Sequence, residues 1–387
     1  MTETLTALEE IKEVNASFPF TKPAKKWKEK GKKVVGWTCI NVPEEIIHAA
    51  GMMPFRITGG NEEISLDRAN EYLYRDSTCS FIRTVLELEL RGEYDFLDCI
   101  ASCSPCEGVI RLTEVGSHYH NIPILPMLDV PRKLNERASN WYRVELIEFK
   151  QHLERFFDVE IPDEAVANSI ELYNKTRASL RKLHELRKQD NPPISGAEMT
   201  EVVNASVRMP REEFNFLLDR LLEEIKATKR ALPGKIRLMI SGALVNATPF
   251  IKALEDLGIM IIADDTCTGS RYWWEPVDVD AYPDLMTALS WRYMGTQCPC
   301  PRRNPPTTRS QWILDTAKDF NVDGAIALTM RNCAPYIHDL PLWKTKLEDQ
   351  GVPVLDLDIE YGCALSGQIR TRVEAFIEML SMEMEVA

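Results

Sequence analysis

The chain has no apolar run approaching the ~18–20 residues that a membrane-crossing helix needs, and its first residues, MTETLTALEEIKEV, are acidic and helix-like. That stretch lacks the basic start, the apolar centre and the small-residue cleavage site of a signal peptide. Positive charge is in deficit too: 46 Lys and Arg stand against 59 Asp and Glu, a formal charge of −13. The deficit argues against general binding to nucleic acid or anionic membrane, and any polyphosphate ligand must find a local basic patch. Tandem repeats, low-complexity tracts and a GxxxxGK[ST] phosphate loop are all missing. A cytoplasmic protein is expected. Ten cysteines in 387 residues are too sparse for a disulfide scaffold and, in a reducing compartment, direct attention to metal binding or catalysis.

What is present is enough to bury a sizeable core: 44% of residues are apolar and 27% charged, in a length that suits two or three units. Residues 33–37, 96–101 and 122–128 read as strands, and they alternate with helical patterns over 43–50 and 79–91. Pro43 suits a first helical position with Gly51 past the end, and Ser77 or Thr78 suits the cap of the second helix before Gly92 stops it. In the last third, 236–240, 259–263, 324–329 and 352–357 read as strands spaced for crossover helices, which predicts parallel sheets. From about 133 to 232 no strand is evident. Two long amphipathic stretches occupy that middle: 163–188, with Val166, Ile170, Tyr173, Leu180 and Leu183 on one face, and 211–231, with Phe214, Leu217, Leu218, Leu221, Leu222 and Ile225. Asn191-Pro192-Pro193 breaks the helical region and Pro233-Gly234 ends it. The expected fold is α/β, with two doubly wound, mostly parallel-sheet, Rossmann- or flavodoxin-like domains over 1–132 and 233–387, joined by a helical connector or lid over 133–232.

The cysteines are informative by position. Cys39, Cys103, Cys106, Cys267 and Cys333 each follow a predicted strand, and in open α/β sheets the carboxyl ends of strands are where ligands bind. Cys79 and Cys106 sit at predicted helix starts, where backbone N–H groups and the helix dipole favour a thiolate. Soft thiolates select iron–sulfur clusters, zinc or copper(I). Cys103-x-x-Cys106 and Cys298-x-Cys300 are paired, whereas Cys79 and Cys333 are single ligands from distant segments, a dispersion that suits a buried cluster better than a zinc ribbon. Two other readings stand beside it: a buried thiol packing as a small hydrophobe, which suits Cys99 inside an apolar strand, and a thioredoxin-like role for Cys103-x-x-Cys106.

The sequence resembles the benzoyl-CoA reductase and 2-hydroxyacyl-CoA dehydratase family. The likeness runs through GWTCINVPEEIIHAAGMMPFRI, CSFIRTVLELELRGEYDFLD, SCSPCEGVIRL and LPMLDVPR, then SGALVNATPFIKALEDLGIMIIADDTCTGSRYWW, DGAIALTMRNCAPY and GQIRTRVEAFIEML. The order is kept across both α/β portions, and the helical middle contributes little. The resemblance implies a [4Fe-4S] cluster held by three cysteines with one iron left open, and Cys79 of CSFIR, Cys106 of CEGVIRL and Cys333 of NCAPY take those places. It implies a related, paralogous subunit forming a dimer, an acyl-CoA substrate, and a separate ATP-hydrolysing iron–sulfur activator as the only route by which ATP enters. In one branch six cysteines hold an [8Fe-9S] double cubane; here Cys103 and Cys300 are the first additions and Cys39 and Cys267 the next.

The expected activity is that of a cluster-bearing subunit of an ATP-driven, benzoyl-CoA-reductase-type ring reductase, with Tyr272-Trp273-Trp274 lining a flat pocket or packing as ordinary core. The alternatives are a 2-hydroxyacyl-CoA dehydratase subunit, a double-cubane reductase, an electron-relay or scaffold subunit, and a zinc-stabilised α/β binding protein. Phosphates of CoA would need cations. Lys25, Lys26, Lys28, Lys30, Lys32 and Lys33, or Arg302, Arg303 and Arg309, are candidates, and Arg370 and Arg372 open the last helix. Glu44, Glu45 and His48 near Cys39, and Glu107 beside Cys106, are candidate proton donors, although Glu44 and Glu45 also suit a helix dipole. Asp264-Asp265 is expected to order the turn before Cys267.

Overall fold

The computed structural model describes residues 5–60, 63–234, 236–243 and 248–386. Residues 244–247 of the SGALVNATPF motif lie outside that set. Two parallel sheets organise the chain. The first holds β1 (Val34–Trp37), β2 (Met53–Arg56) and β3 (Cys99–Ala101) in the order β2-β1-β3, with Val34 opposite Met53 and Val35 opposite Cys99. The second holds β4 (Ile236–Gly242), β5 (Ile259–Asp265), β6 (Gly324–Met330) and β7 (Val354–Ile359) in the order β5-β4-β6-β7. Sheets of this kind are covered on both faces, so their strands read as near-continuous apolar runs. In β4, Leu238 and Ile240 enter one core while Met239 enters the opposite one, and in β6 Ile326 and Leu328 alternate with Ala325 and Ala327 in the same way. The chain is therefore α/β with two Rossmann-like domains.

The local chemistry accounts for two departures from expectation. Segment 122–128 forms only isolated bridges, Ile124 to Ile100 and Leu128 to Cys103, because Pro123 and Pro126 remove backbone donors that a strand would use. Conversely β2 is not evident in the sequence, since Met-Pro-Phe-Arg carries a proline and a charge. It survives as the edge of its sheet, where Pro54 is tolerated.

Between the sheets lie the helices Glu136–Phe157, Asp163–Glu185, Gly196–Ser206 and Arg211–Thr228. Among the described residues the span 133–232 contains no strand, only the single bridge of Lys133 to Asn304. Ser195 and Glu198 form a reciprocal capping box that starts the third of these helices. The expected face Val166, Ile170, Leu180 and Leu183 packs with Phe214, Leu218 and Leu221 into the same core as Val35 and Trp37 of β1. No helix is long and apolar enough to cross a membrane among the described residues.

Strand order fixes where a ligand can sit. In β2-β1-β3 the connections diverge at the β1/β3 carboxyl ends, and in β5-β4-β6-β7 they diverge at β4/β6. Thr38 and Cys39 after β1, Cys106 after β3, Ala243 after β4 and Cys333 after β6 all line one cavity, so the two switch points face each other across it.

Candidate metal centre

Six cysteines line that cavity: Cys39, Cys79, Cys106, Cys267, Cys300 and Cys333, with Arg56, Arg302, Phe81, Ile82 and Tyr336 among the remaining walls. It encloses about 650 Å³ of space between protein atoms, part of it open to solvent. A second, outer cavity shares Cys79, Cys106 and Cys333 and is otherwise lined by Tyr72, Tyr74, Thr78, Glu107, Arg111 and Asn332. Those three thiols thus form the wall between the two spaces, while Cys39, Cys267 and Cys300 belong to the inner one alone.

Cys79, Cys106 and Cys333 share one local geometry. Each occupies the N-cap position of a helix, those starting at Ser80, Glu107 and Ala334; the cap expected at Ser77 or Thr78 is Cys79 itself. A side chain at this position meets backbone N–H groups that have no intrahelical partner. The N–H groups of Ile82 and Phe81 favour the Cys79 thiolate, and that of Val109 favours Cys106. Burial nevertheless dominates, pushing Cys79 and Cys333 up, Cys106 to about 12 and Cys267 to about 11. Cys39 is the exception, held below the usual thiol range first by a hydrogen bond from Cys103 and further by Asn41.

Without a cation in the cavity, most of these thiols therefore keep their protons, and a bound metal would displace them. Among the described residues no group of three Cys, His, Asp or Glu is placed to hold one metal ion. Thiolates that bind different irons of one cluster stand apart around it. The donor set, six soft sulfurs with no carboxylate or imidazole among the described residues of the wall, therefore suits an iron–sulfur group rather than a lone ion.

The other cysteines are elsewhere. Cys103 stands behind Cys39 and is fully buried, Cys99 packs in the core as part of β3, Cys298 is buried under the second sheet, and Cys363 is half-buried against the other core of that sheet.

Of the expected proton donors only Glu107 reaches either cavity. It is exposed, lines the outer one and pairs with Arg111 at 2.5 Å. Glu44 is buried against Arg211 and Tyr272, and Glu45 against Arg177 and Tyr293. His48 bonds Ser169 and Glu212.

The cations also have local duties. Arg302 donates to the carbonyls of Pro131, Ser104 and Val130 while lining the inner cavity. Arg303 is buried and spends its donors on Pro131, Asn41 and Tyr293. Arg309 pairs with Asp265 and Asp339. Arg370 is exposed beside Glu374, and Arg372 caps the Asp356 carbonyl. Lys28 and Lys33 pair with Asp98 at the foot of β1, and Lys25 and Lys32 lie over Phe20 and Trp27.

Asp264 accepts from the Thr266 and Ser270 N–H groups and so orders the turn carrying Cys267. The aromatic triplet does not line the cavity: Trp273 is buried against His184, Trp274 packs on Trp312, and the Tyr272 hydroxyl donates to Glu44. Sequence reasoning missed Arg56, whose guanidinium lies over Trp37 and donates to the Cys267 carbonyl at 2.7 Å. The signal available was a charge ending a buried apolar segment.

Comparison with known proteins agrees with this architecture. The 2-hydroxyglutaryl-CoA dehydratase D-component family matches residues 39–380. The β subunit of (R)-2-hydroxyglutaryl-CoA dehydratase from Acidaminococcus fermentans is 28% identical over 96% of this chain and 98% of its own length. The (R)-phenyllactyl-CoA dehydratase β subunit of Clostridium sporogenes is 27% identical over 92% and 94%. A benzoyl-CoA reductase subunit from Thauera aromatica is 24% identical over 93% and 94%. With the family pattern running from the first strand-end cysteine into the last helix, this chain belongs to the 2-hydroxyglutaryl-CoA dehydratase D-component family.

Proposed function

We propose that the chain is one subunit of an enzyme that transforms a CoA thioester by single-electron chemistry. It would use an iron–sulfur group held by Cys79, Cys106 and Cys333 on one side and Cys39, Cys267 and Cys300 on the other. The observation that carries this reading is the convergence of six thiols, drawn from both sheets and the loop after residue 295, on one apolar-walled space. Such a group, when bound, supplies electrons at low potential to a substrate whose thioester carbonyl can accept them.

The chain's own residues prepare the space for that role. Helix N-termini at Cys79, Cys106 and Cys333 favour thiolate ligands. Phe81, Ile82, Val109 and Met330 exclude water around the sulfurs, and Arg56 and Arg302 bring positive charge to the inner side. Glu107, on the outer side with Arg111, is placed to exchange protons with solvent.

Dehydration of a 2-hydroxyacyl-CoA is the reaction we assign, because relatives matched over nearly their full length are dehydratase β subunits. Ring reduction is the second reading, carried by the benzoyl-CoA reductase relative; the burial of Tyr272 and Trp273 and the packing of half-buried Trp274 on Trp312 remove the flat-pocket argument for it. A partner subunit and a separate electron activator complete the enzyme in either case.

The test is iron and acid-labile sulfide per chain on protein purified without oxygen, followed by incubation with partner, activator and both thioester classes. About eight irons and an enoyl-CoA product are expected. Four irons would reduce the ligand set to Cys79, Cys106 and Cys333, a dienoyl-CoA product would assign ring reduction, and absence of iron would overturn the reading.

A further inference from the structure

The two halves of the thiol-lined cavity sit in different electrostatic surroundings. Arg56, 1% exposed, has no carboxylate within ion-pair distance among the described residues; its Nη1 donates to the Cys267 carbonyl and its buried Nε has no partner. Arg302 likewise meets only carbonyls, those of Ser104, Val130 and Pro131, and its Nε is buried and unpartnered. Behind them lie Arg303, also without a carboxylate, and Arg271, which shares Asp265 with Arg309. Arg56, Arg271 and Arg303 act on Cys39, Cys267 or Cys300, and Arg302 lines the inner cavity that holds those three thiols and not the outer one. The Cys79–Cys106–Cys333 side differs. Its nearby arginines are paired, Arg83 with Glu360 at 3.9 Å and Arg111 with Glu107 at 2.5 Å, and the strongest charge neighbours of Cys106 and Cys333 are other cysteines.

A buried guanidinium without a counter-charge is costly unless the space beside it holds an anion. Arg56, fully buried, and Arg302, half-buried with its Nε enclosed, face one cavity and imply that its occupant is anionic and that its negative charge is stabilised at that end.

We propose that Arg56 and Arg302 make the Cys39–Cys267–Cys300 end of the cavity the place where an added electron resides. This rests on the reading that the cavity holds an iron–sulfur group. One electron from an external one-electron reductant adds one unit of negative charge and breaks no bond. Cations within the same low-dielectric space favour that added charge, and they do so most strongly at the nearer end. Electrons thus enter past the solvent-facing wall of Cys79, Cys106 and Cys333 and settle inward.

The experiment compares wild type, Arg302→Met and Arg302→Lys, purified without oxygen, by iron content first and then by a potentiometric titration followed by electron paramagnetic resonance with dithionite as reductant. Lysine restores the charge but not the three-carbonyl geometry, so it separates charge from structure. Arg302→Met is expected to keep its iron and to disfavour the reduced form at least tenfold, about 59 mV lower for one electron, while Arg302→Lys stays near wild type. Arg56→Met, from a different segment, is expected to act in the same direction. Iron lost from Arg302→Met but kept by Arg302→Lys also supports the charge role. Iron kept with an unmoved potential in both Met variants overturns it, as does equal iron loss in Met and Lys variants. Wild type without iron fails the cluster reading itself, a result distinct from either.

Discussion

At the scale of single residues, burial sets the protonation of acids and thiols that lack a partner to oppose it, and the cavity holds the most concentrated case in Cys79, Cys106, Cys267 and Cys333. Glu89 is a second case with a clean consequence. Its carboxyl is buried on the helix Ser80–Leu90, has an oxygen without a hydrogen-bond partner, and faces the Nε2 of His120 at 3.6 Å. Burial raises it to about 8. The folded chain therefore holds a proton between about pH 4.5 and 8 that the unfolded chain has released, so stability falls as pH rises through that window. Burial holds His120 below its ordinary 6.5, which acts in the opposite sense but only below about pH 6.5. Between pH 6.5 and 8 the Glu89 contribution to the loss is about 2 kcal/mol. Glu89→Gln, which needs no deprotonation, is expected to remove that part of the slope and to exceed wild type at pH 8. Urea unfolding of iron-free protein at the two pH values measures it, and parallel slopes for the two chains would refute it.

At the scale of elements, the site depends on helix starts being brought close together. A Cβ on Gly108 would lie 2.9 Å from Ile82 Cγ1 and 3.9 Å from Cys106 Sγ, so the glycine lets the helices Ser80–Leu90 and Glu107–Tyr119 approach with Cys79 and Cys106 at their caps. Gly108→Val is expected to keep helical circular dichroism while at least halving iron retention, and unchanged iron would show that the close approach is dispensable. At the end of β5, Asp265 receives Arg309 and Arg271 and accepts from Ser241. Asp265→Asn leaves two buried cations undercompensated and is expected to cost about 3–5 kcal/mol in denaturant unfolding; a cost below about 1 kcal/mol would mean that Asp339 and backbone carbonyls suffice. The elements themselves are largely legible because parallel strands buried on both faces write continuous apolar runs, as in 236–240 and 259–263. Met53–Arg56 is hidden by its proline and arginine, and 122–128 reads as a strand because its apolar content outweighs two missing donors. For the site, strand-end positions flag the cysteines, but which of them face the cavity depends on side-chain direction. That is why Cys103 and Cys39, alike in the sequence, stand one behind the other, and why Arg56 gives so little sign.

At the scale of the whole molecule, the cavity is where the two sheets are joined. Cys39 and Cys106 follow strands of the first sheet and Cys79 starts a helix packed beside it, whereas Cys267 and Cys333 follow strands of the second. A group bonded to thiols from both sides acts as a brace, and because the unfolded chain cannot assemble those ligands, its binding free energy adds to the stability of the entire fold. Loading the iron-free chain with ferrous iron and sulfide without oxygen is expected to raise the melting temperature by several degrees. The same loading should slow amide exchange at the ends of β1 and β6 together. Cys333→Ala removes the contact that β6 supplies, so any metal it still binds should protect the first sheet and leave the β6 end exchanging as in the iron-free protein. If loading instead protects one sheet alone in the wild type, the thiols of the two halves do not share one group, and the six-cysteine assignment reduces to two separate sets.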